Sequence, residues 1–415
     1  MARRVGVVAA LAALTAAFLA VATVRHGFFD LRVYHGAVNL WVHGGGDLYD
    51  YVNPGTRYGF TYPPFAALTM LPLAYLGWHT AIGISIVLAV AASAVLLWWL
   101  VDPVARRHGW VRWFAFAIGA CLLAAFEPIR ETVTFGQVNL LMLLLVLADL
   151  RWLVARDSRW AGVGVGLATA IKLTPGIFIA YLLIVRRWRA AAVASGTAVV
   201  ATLLAGLLVP AESRVFWAEA LWNTDRIGVF AYVSNQSLRG LVSRLDPQHP
   251  DLVLWAVLVV ATLGVWVWRV RAAARAGDEP TAFALTAVVG CLVSPVTWVH
   301  HLVWLVPAVI LLIDRAASAP AGGRRRRWLL GLAIGSYAVL ISRVIWLWPD
   351  GGGGLLGALG GNAYLWVSLA LLVLLPIEST GPGWQREGVA DLDDLGRAPA
   401  AGAVDRERGP LAVRE

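Results

Sequence analysis

Asp30 stands a few residues beyond the apolar run that opens the chain, near the start of FFDLRVYHGAVNLWVHGGGDLYDYVNPGTRYGFTYPP, residues 28–64. A carboxylate beside Arg32, Tyr34 and His35 can take the proton of a sugar hydroxyl as that hydroxyl attacks. Such a base needs reach to the hydroxyl more than an unusual pKa. A carboxylate just past a helix can equally be a solvated end charge. Asp47 and Asp50 compete for the role, although GGGDLYD reads as a turn in which Asp47 caps a short helix. Five cations, Arg130, Lys172, Arg226, Arg239 and Arg343, fall on the same side of the chain's topology as Asp30. They could anchor lipid phosphates or hold a polyprenyl phosphate leaving group, arginine as a bidentate donor and lysine as a point charge. His300 and His301 in SPVTWVHHLVW point about 100° apart on a helix, so one can face a cavity while the other packs.

Amides complete the set. Gln137 and Asn139 in FGQVNLL, and Asn235 and Gln236 in NQS, are polar groups in apolar surroundings that sugar hydroxyls could satisfy. NQS also matches the glycosylation pattern. The histidines lack the spaced companions of a metal site, so no metal is expected. Asp391 and Asp393 imitate a metal-binding acid pair, but they lie in a polar tail. No glycine loop followed by Lys-Ser/Thr is present to hold a nucleotide phosphate.

These residues must be positioned by membrane helices. Of 415 residues, 59% are hydrophobic and 14% charged, against about a quarter charged in soluble domains. Mean hydropathy is +0.71. A bilayer admits only helices or closed barrels, and apolar runs of roughly 20 residues favour helices, so an all-α polytopic membrane protein is expected. The net charge of +9 does not indicate nucleic acid, because the arginines sit in short clusters between spans, as topology determinants do. Cys121 and Cys291 lie in apolar segments and imply no disulfide framework. The first apolar run exceeds the roughly 7–15 residues of a signal-peptide core, so it reads as an uncleaved span with Arg3 and Arg4 inside.

Positive-inside counting gives about twelve spans with both ends cytoplasmic. The interval 25–105 must cross an odd number of times. Pro63–Leu76 is about 21 Å long as a helix, short of the ~30 Å core, and is expected to lie along the outer interface. A further helix is expected over Tyr34–Trp41. Two short spans between 160 and 186 meet at Lys172, the chain's only lysine, and read as broken or re-entrant. Residues 1–377 form one membrane domain with an outer loop at 26–78, and 378–415 read as a disordered cytoplasmic tail.

The succession FFDLRVYHGAVNLW, FTYPPFAALTMLPLAYL, FGQVNLLMLLLVLADL, AIKLTPGIFIAYLL, NQSLRGLV and SPVTWVHHLVWLVPA resembles glycosyltransferase family 87 over nearly all of residues 5–377. These are actinobacterial integral-membrane mannosyltransferases of the C-type superfamily that build phosphatidylinositol mannosides, lipomannan and lipoarabinomannan. The resemblance implies a polyprenyl-phosphate mannose donor, a mannosylated lipid or lipoglycan acceptor, an α-1,2-linked product formed with inversion, and an active site on the outer face of the plasma membrane. It implies no nucleotide or metal cofactor. Asp30 occupies the place of the family's catalytic base. Arg130, Lys172, Arg239, His300, His301, Gln137 and Asn235 are the candidate substrate contacts. Two alternatives stay open: a transporter or flippase of lipid-linked sugars, against which the lack of an internal repeat counts, and a transferase using another polyprenyl-phosphate sugar.

Overall fold

The computed structural model describes residues 1–379 apart from 25, 224, 225, 227 and 350–353. The tail from 380 onward, including Asp391 and Asp393, lies outside the described residues. Among the described residues every regular element is a helix, and the one strand-like pairing is an antiparallel bridge between Val52 and Gly59.

Five helices are long and apolar enough to cross a bilayer: Ala2–Ala22, Trp78–Arg107, Trp188–Leu208, Leu252–Arg275 and Val299–Ser318. Two bent pairs raise the number to seven if each is one span. Arg112–Ala125 meets Glu127–Phe135 at 67°, and Gly354–Gly360 meets Ala363–Leu374 at 61°. Other apolar runs among the twelve expected spans form helices too short for that length, such as Asn139–Ala148 and Glu279–Val293, and local chemistry sets two of the breaks. Phe126 is extended (φ −67°, ψ 118°) and Pro128 lacks an N–H, so a new helix starts there instead of the old one continuing. Lys172 is likewise extended (φ −146°, ψ 124°) ahead of Pro175, which separates Val163–Ile171 from Ile177–Ile184. The short halves expected on either side of Lys172 are therefore present.

Small residues let these short helices pack closely. Gly162 and Gly166 lie against Trp188–Leu208 at Ala190 and Ala194. A Cβ at Gly162 would sit 2.1 Å from the Ala190 carbonyl oxygen, and its φ of +105° excludes other residues as well. The buried Asp149 carboxylate accepts the N–H groups of Gly162 and Val165, both at 2.9 Å, and so closes the start of Val163–Ile171.

Glu279–Val293 and Val299–Ser318 are buried almost throughout and form the centre of the bundle. The long helices around them turn large apolar side chains outward, for example Val200 (66% exposed) and Val260 (69% exposed). A soluble monomer rarely carries such a surface, whereas lipid covers it.

Ion pairs gather the arginine clusters at one end. Arg107 reaches Asp314 at 2.5 Å, Arg315 grips Asp278 through two 2.9 Å contacts, Arg187 meets Glu279 at 3.4 Å, and Arg189 meets Asp157 at 2.7 Å. Arg269 donates to Leu372 O at 2.8 Å and also to Val373 O and Leu375 O, satisfying the orphan carbonyls that end Ala363–Leu374.

The opposite end carries residues 26–78. The expected helix over 34–41 is longer, Phe29–His43, and places Asp30 in its first turn. Asp47 sits at the start of Leu48–Asp50 but makes no side-chain cap, contrary to expectation. Pro64–Met70 and Leu71–Tyr75 form the expected short apolar helix. This region has its own core, in which Tyr34, Val38, Tyr49 and Phe60 pack with Phe216. His35 donates to Leu76 O at 2.9 Å and His43 to Ala74 O at 3.0 Å, so both histidines clip the segment together.

Candidate active site

At the end away from the arginine clusters, a cavity of about 520 Å³ opens among Phe29–His43, the 58–63 segment, the Lys172 break and the loops before His300. Asp30, Gln137, Lys172, His300 and His301 all line it, as do Tyr34, Tyr62 and Arg226.

Asp30 faces the cavity from the first turn of its helix, where the positive end of the helix dipole favours a carboxylate. Its Oδ2 accepts the side-chain N–H of Gln137 at 2.7 Å. Oδ1 has no hydrogen-bond partner among the described residues and is not sealed from the cavity. Gln137 reaches this position because Gly136 ends Glu127–Phe135 in the left-handed region (φ +72°). A Cβ at Gly136 would lie 2.6 Å from that of Leu31, one residue from the base.

Hydrogen bonds run from Asp30 to a cation. The Tyr62 hydroxyl donates to Gln137 Oε1 at 3.2 Å and accepts from Tyr34 at 2.9 Å and from Lys172 Nζ at 3.2 Å. Lys172 Nζ also donates to Asn139 Oδ1 at 2.7 Å and lies 3.2 Å from His301 Nε2. The extended backbone between the two short helices thus projects the ammonium into the cavity, where its direct hydrogen-bond partners are neutral. A cation so placed gains most from an incoming anion.

Burial raises the Asp30 carboxyl from its ordinary 3.8 to about 6. The Gln137 hydrogen bond and the charges of Lys172 and His26 oppose that rise, and Glu131 adds to it. His26 pairs with Glu131 at 2.9 Å and stacks on Phe135 with ring centroids 3.9 Å apart. His300, 4% exposed, packs on Phe135, and its backbone carbonyl accepts from Asn139 at 3.3 Å and Thr132 at 3.2 Å. Its Nε2 is buried without a partner. A group in that state costs free energy that a ligand hydroxyl or phosphate oxygen would recover.

Three expected contacts lie elsewhere. Arg130 donates to Ala125 O at 3.1 Å and Ala22 O at 2.9 Å, pinning the first helix to the bend at Phe126. Arg239 packs between Phe230 and Trp255, 5.2 Å from each ring centre. Asn235 is fully buried and spends its amide on Phe230 O, Pro295 O and Thr297 N. Gln236 is tied similarly to Val233, Gly361 and Leu365. These amides hold the loops that bound the cavity. Arg343 donates to Ala22 O at 2.6 Å. Of the five cations on this side, Lys172 and Arg226 reach the cavity. Tyr62, which joins base to cation, was not singled out from sequence; its only signal is the TYPP run. No group of three metal-ligating side chains occurs among the described residues.

The cavity therefore sets an open carboxylate oxygen and an ammonium with no carboxylate in direct contact around one volume. One can accept a proton from a nucleophile and the other can stabilise a departing anion.

The model of glycosyltransferase family 87 matches residues 60–295. The chain is 32% identical over 378 residues to the polyprenol-phosphate-mannose-dependent alpha-(1-2)-phosphatidylinositol mannoside mannosyltransferase of Mycolicibacterium smegmatis, covering 85% of this chain and 84% of that protein. It is 31% identical over 380 residues to the protein of the same description from Mycobacterium tuberculosis, covering 85% of each. It is 33% identical over 332 residues to the polyprenol-phosphate-mannose-dependent alpha-(1-2)-phosphatidylinositol pentamannoside mannosyltransferase of M. smegmatis, covering 77% and 76%. No solved structure matches the chain. Family model and full-length relatives agree: the chain belongs to glycosyltransferase family 87.

Proposed function

We propose that this glycosyltransferase moves mannose from polyprenyl-phosphate mannose to a mannoside-bearing lipid, a phosphatidylinositol mannoside or lipoglycan, in α-1,2 linkage with inversion. The observation that carries the reading is the Asp30–Gln137–Tyr62–Lys172 chain in one cavity. The names of the relatives supply the donor and acceptor class. The acceptor hydroxyl attacks the anomeric carbon and gives its proton to Asp30 Oδ1. The bond from that carbon to the phosphate oxygen breaks, and its electron pair leaves on the polyprenyl phosphate. Lys172 compensates the charge that develops, and His300 Nε2 bonds a substrate oxygen. Fixed charges of this kind, in place before the reaction, are usually the largest catalytic term.

The same reading puts the cavity on the outer face of the plasma membrane, because the opposite end carries the arginine clusters that the positive-inside rule assigns to the cytoplasm. It includes a C-type fold with about twelve crossings, in which the short broken helices cross where protein encloses them. The test uses the full chain in membranes with labelled polyprenyl-phosphate mannose and a phosphatidylinositol mannoside acceptor. A new 1,2-linked mannose that vanishes in Asp30→Asn is the expected result. Wild-type transfer by that variant would remove Asp30 as the base. Transfer of another sugar in preference to mannose would overturn the donor assignment.

A further inference from the structure

We propose that the cleft between Arg112–Ala125 and Arg324–Ser342 holds one acyl chain of an anionic phospholipid, with its phosphate at Arg4. This site is separate from the transfer reaction and does not rest on it. The cleft encloses about 710 Å³ and is lined almost wholly by apolar side chains, with Arg4 and Trp110 at one end and Phe126 and Tyr337 at the other. Trp78–Arg107 and Val306–Ser318 form its back wall.

Its length stays within the hydrocarbon core. The lining runs along the whole Arg112–Ala125 helix, 14 residues, or about 21 Å. A whole hydrocarbon core is about 30 Å. An acyl chain entering at Arg4 therefore fits without reaching the opposite leaflet's headgroups. It enters from the membrane, because Ile334 on the rim is 64% exposed.

The far end is closed. The Tyr337 hydroxyl donates to Leu122 O at 2.7 Å, and its ring stacks on Phe126 with centroids 6.0 Å apart. Just beyond, Glu127 is bonded to Trp346 at 2.7 Å and to Tyr364. This plug separates the cleft from the Asp30 cavity, so a tail descending from that cavity has no direct way in.

The charge at the mouth selects the occupant. The nearby carboxylates are spent: Asp102 on Arg106 and Arg112, Asp314 on Arg107 and His108. Arg4 has no carboxylate partner among the described residues. Moving an acyl chain from bilayer to cleft gains no hydrophobic energy, so packing along the cleft and the Arg4–phosphate contact must supply the preference.

The test is native mass spectrometry of the full chain after exchange with vesicles of equal palmitoyl-oleoyl phosphatidylglycerol and phosphatidylcholine. The wild type should retain one phosphatidylglycerol. Ile118→Trp should cut retained lipid at least tenfold, and Ala115→Phe, which fills the same cleft with less added bulk, should do so if the first variant does not fold. Arg4→Gln should lower the preference for phosphatidylglycerol about fivefold while phosphatidylcholine still binds. Unchanged retention in folded Ile118→Trp or Ala115→Phe would overturn the site. Unchanged headgroup preference in Arg4→Gln would overturn the phosphate contact. Displacement of the bound lipid by equimolar polyprenyl phosphate would overturn the occupant and assign the cleft to the donor's tail.

Discussion

Replacing Asp30 with asparagine should slow catalysis severely and stabilise the protein. The half-buried carboxylate has its pKa lifted by burial from 3.8 to about 6, so its ionisation opposes folding. The difference of roughly 2 units is worth about 3 kcal/mol at 1.36 kcal/mol per unit, less where water in the open cavity solvates the charge. Asparagine removes the charge, and its amide oxygen still accepts from Gln137. The sign follows from the folded pKa being the higher one. Below about 3.8 Asp30 is protonated in both states and costs nothing. The cost grows as pH rises through that window and is fully present above about 6. Asp30→Asn should therefore unfold at a higher temperature than wild type near pH 8, with the gap closing toward pH 4. Transfer should fall about 100- to 10,000-fold. Both proteins would be melted in the same micelles across that range, and transfer followed with labelled donor. Equal melting at all pH values would refute the burial argument, and a gap that widens toward acid would refute its sign.

The pH profile of kcat/KM should rise through about 6 to a plateau, because only the ionised Asp30 accepts a proton. Gln137→Leu should move that rise to higher pH, since its hydrogen bond holds the pKa down; an unmoved midpoint would show that Gln137 does not tune the base. Lys172→Met should lower kcat about 100- to 1,000-fold, as loss of a preorganised transition-state contact does, with acceptor KM little changed. A loss confined to acceptor KM would place Lys172 on the acceptor instead. At the other end, Arg315→Ala leaves Asp278 buried and unpaired and should cost about 3–5 kcal/mol, read as a fall in melting temperature. An unchanged melting point would show that Asp278 finds another partner.

Asp30 and Lys172 were legible because each breaks a pattern: an acid just past a span, and the one lysine at a helix break. Periodicity and arginine clusters also separated the two ends of the bundle. They did not give the direction in which a side chain points around a helix axis. Arg130 lies on the expected side of the membrane, yet the turn imposed by Phe126 and Pro128 aims it at Ala22 O. Asn235 reads as a sugar contact because buried amides need partners, and here loop carbonyls supply them. Tyr62 was hidden for the opposite reason: one tyrosine in an aromatic stretch carries no signal until the fold brings Gln137 and Lys172 to its hydroxyl. The twelve-span count left Pro63–Leu76 on the interface and read the pair around Lys172 as broken, but it did not show the bend at Phe126, where an extended residue starts a new helix.

The solitary status of Lys172 makes the chain a reporter of its own occupancy. Apart from the amino terminus, an acylating or reductively methylating reagent meets a single amine, and that amine sits in the cavity beside Tyr62 and Asn139. A small amine-reactive label should therefore modify one internal peptide, at a rate that falls as donor fills the site. Intact-mass counting of that label would read ligand binding without any engineered probe.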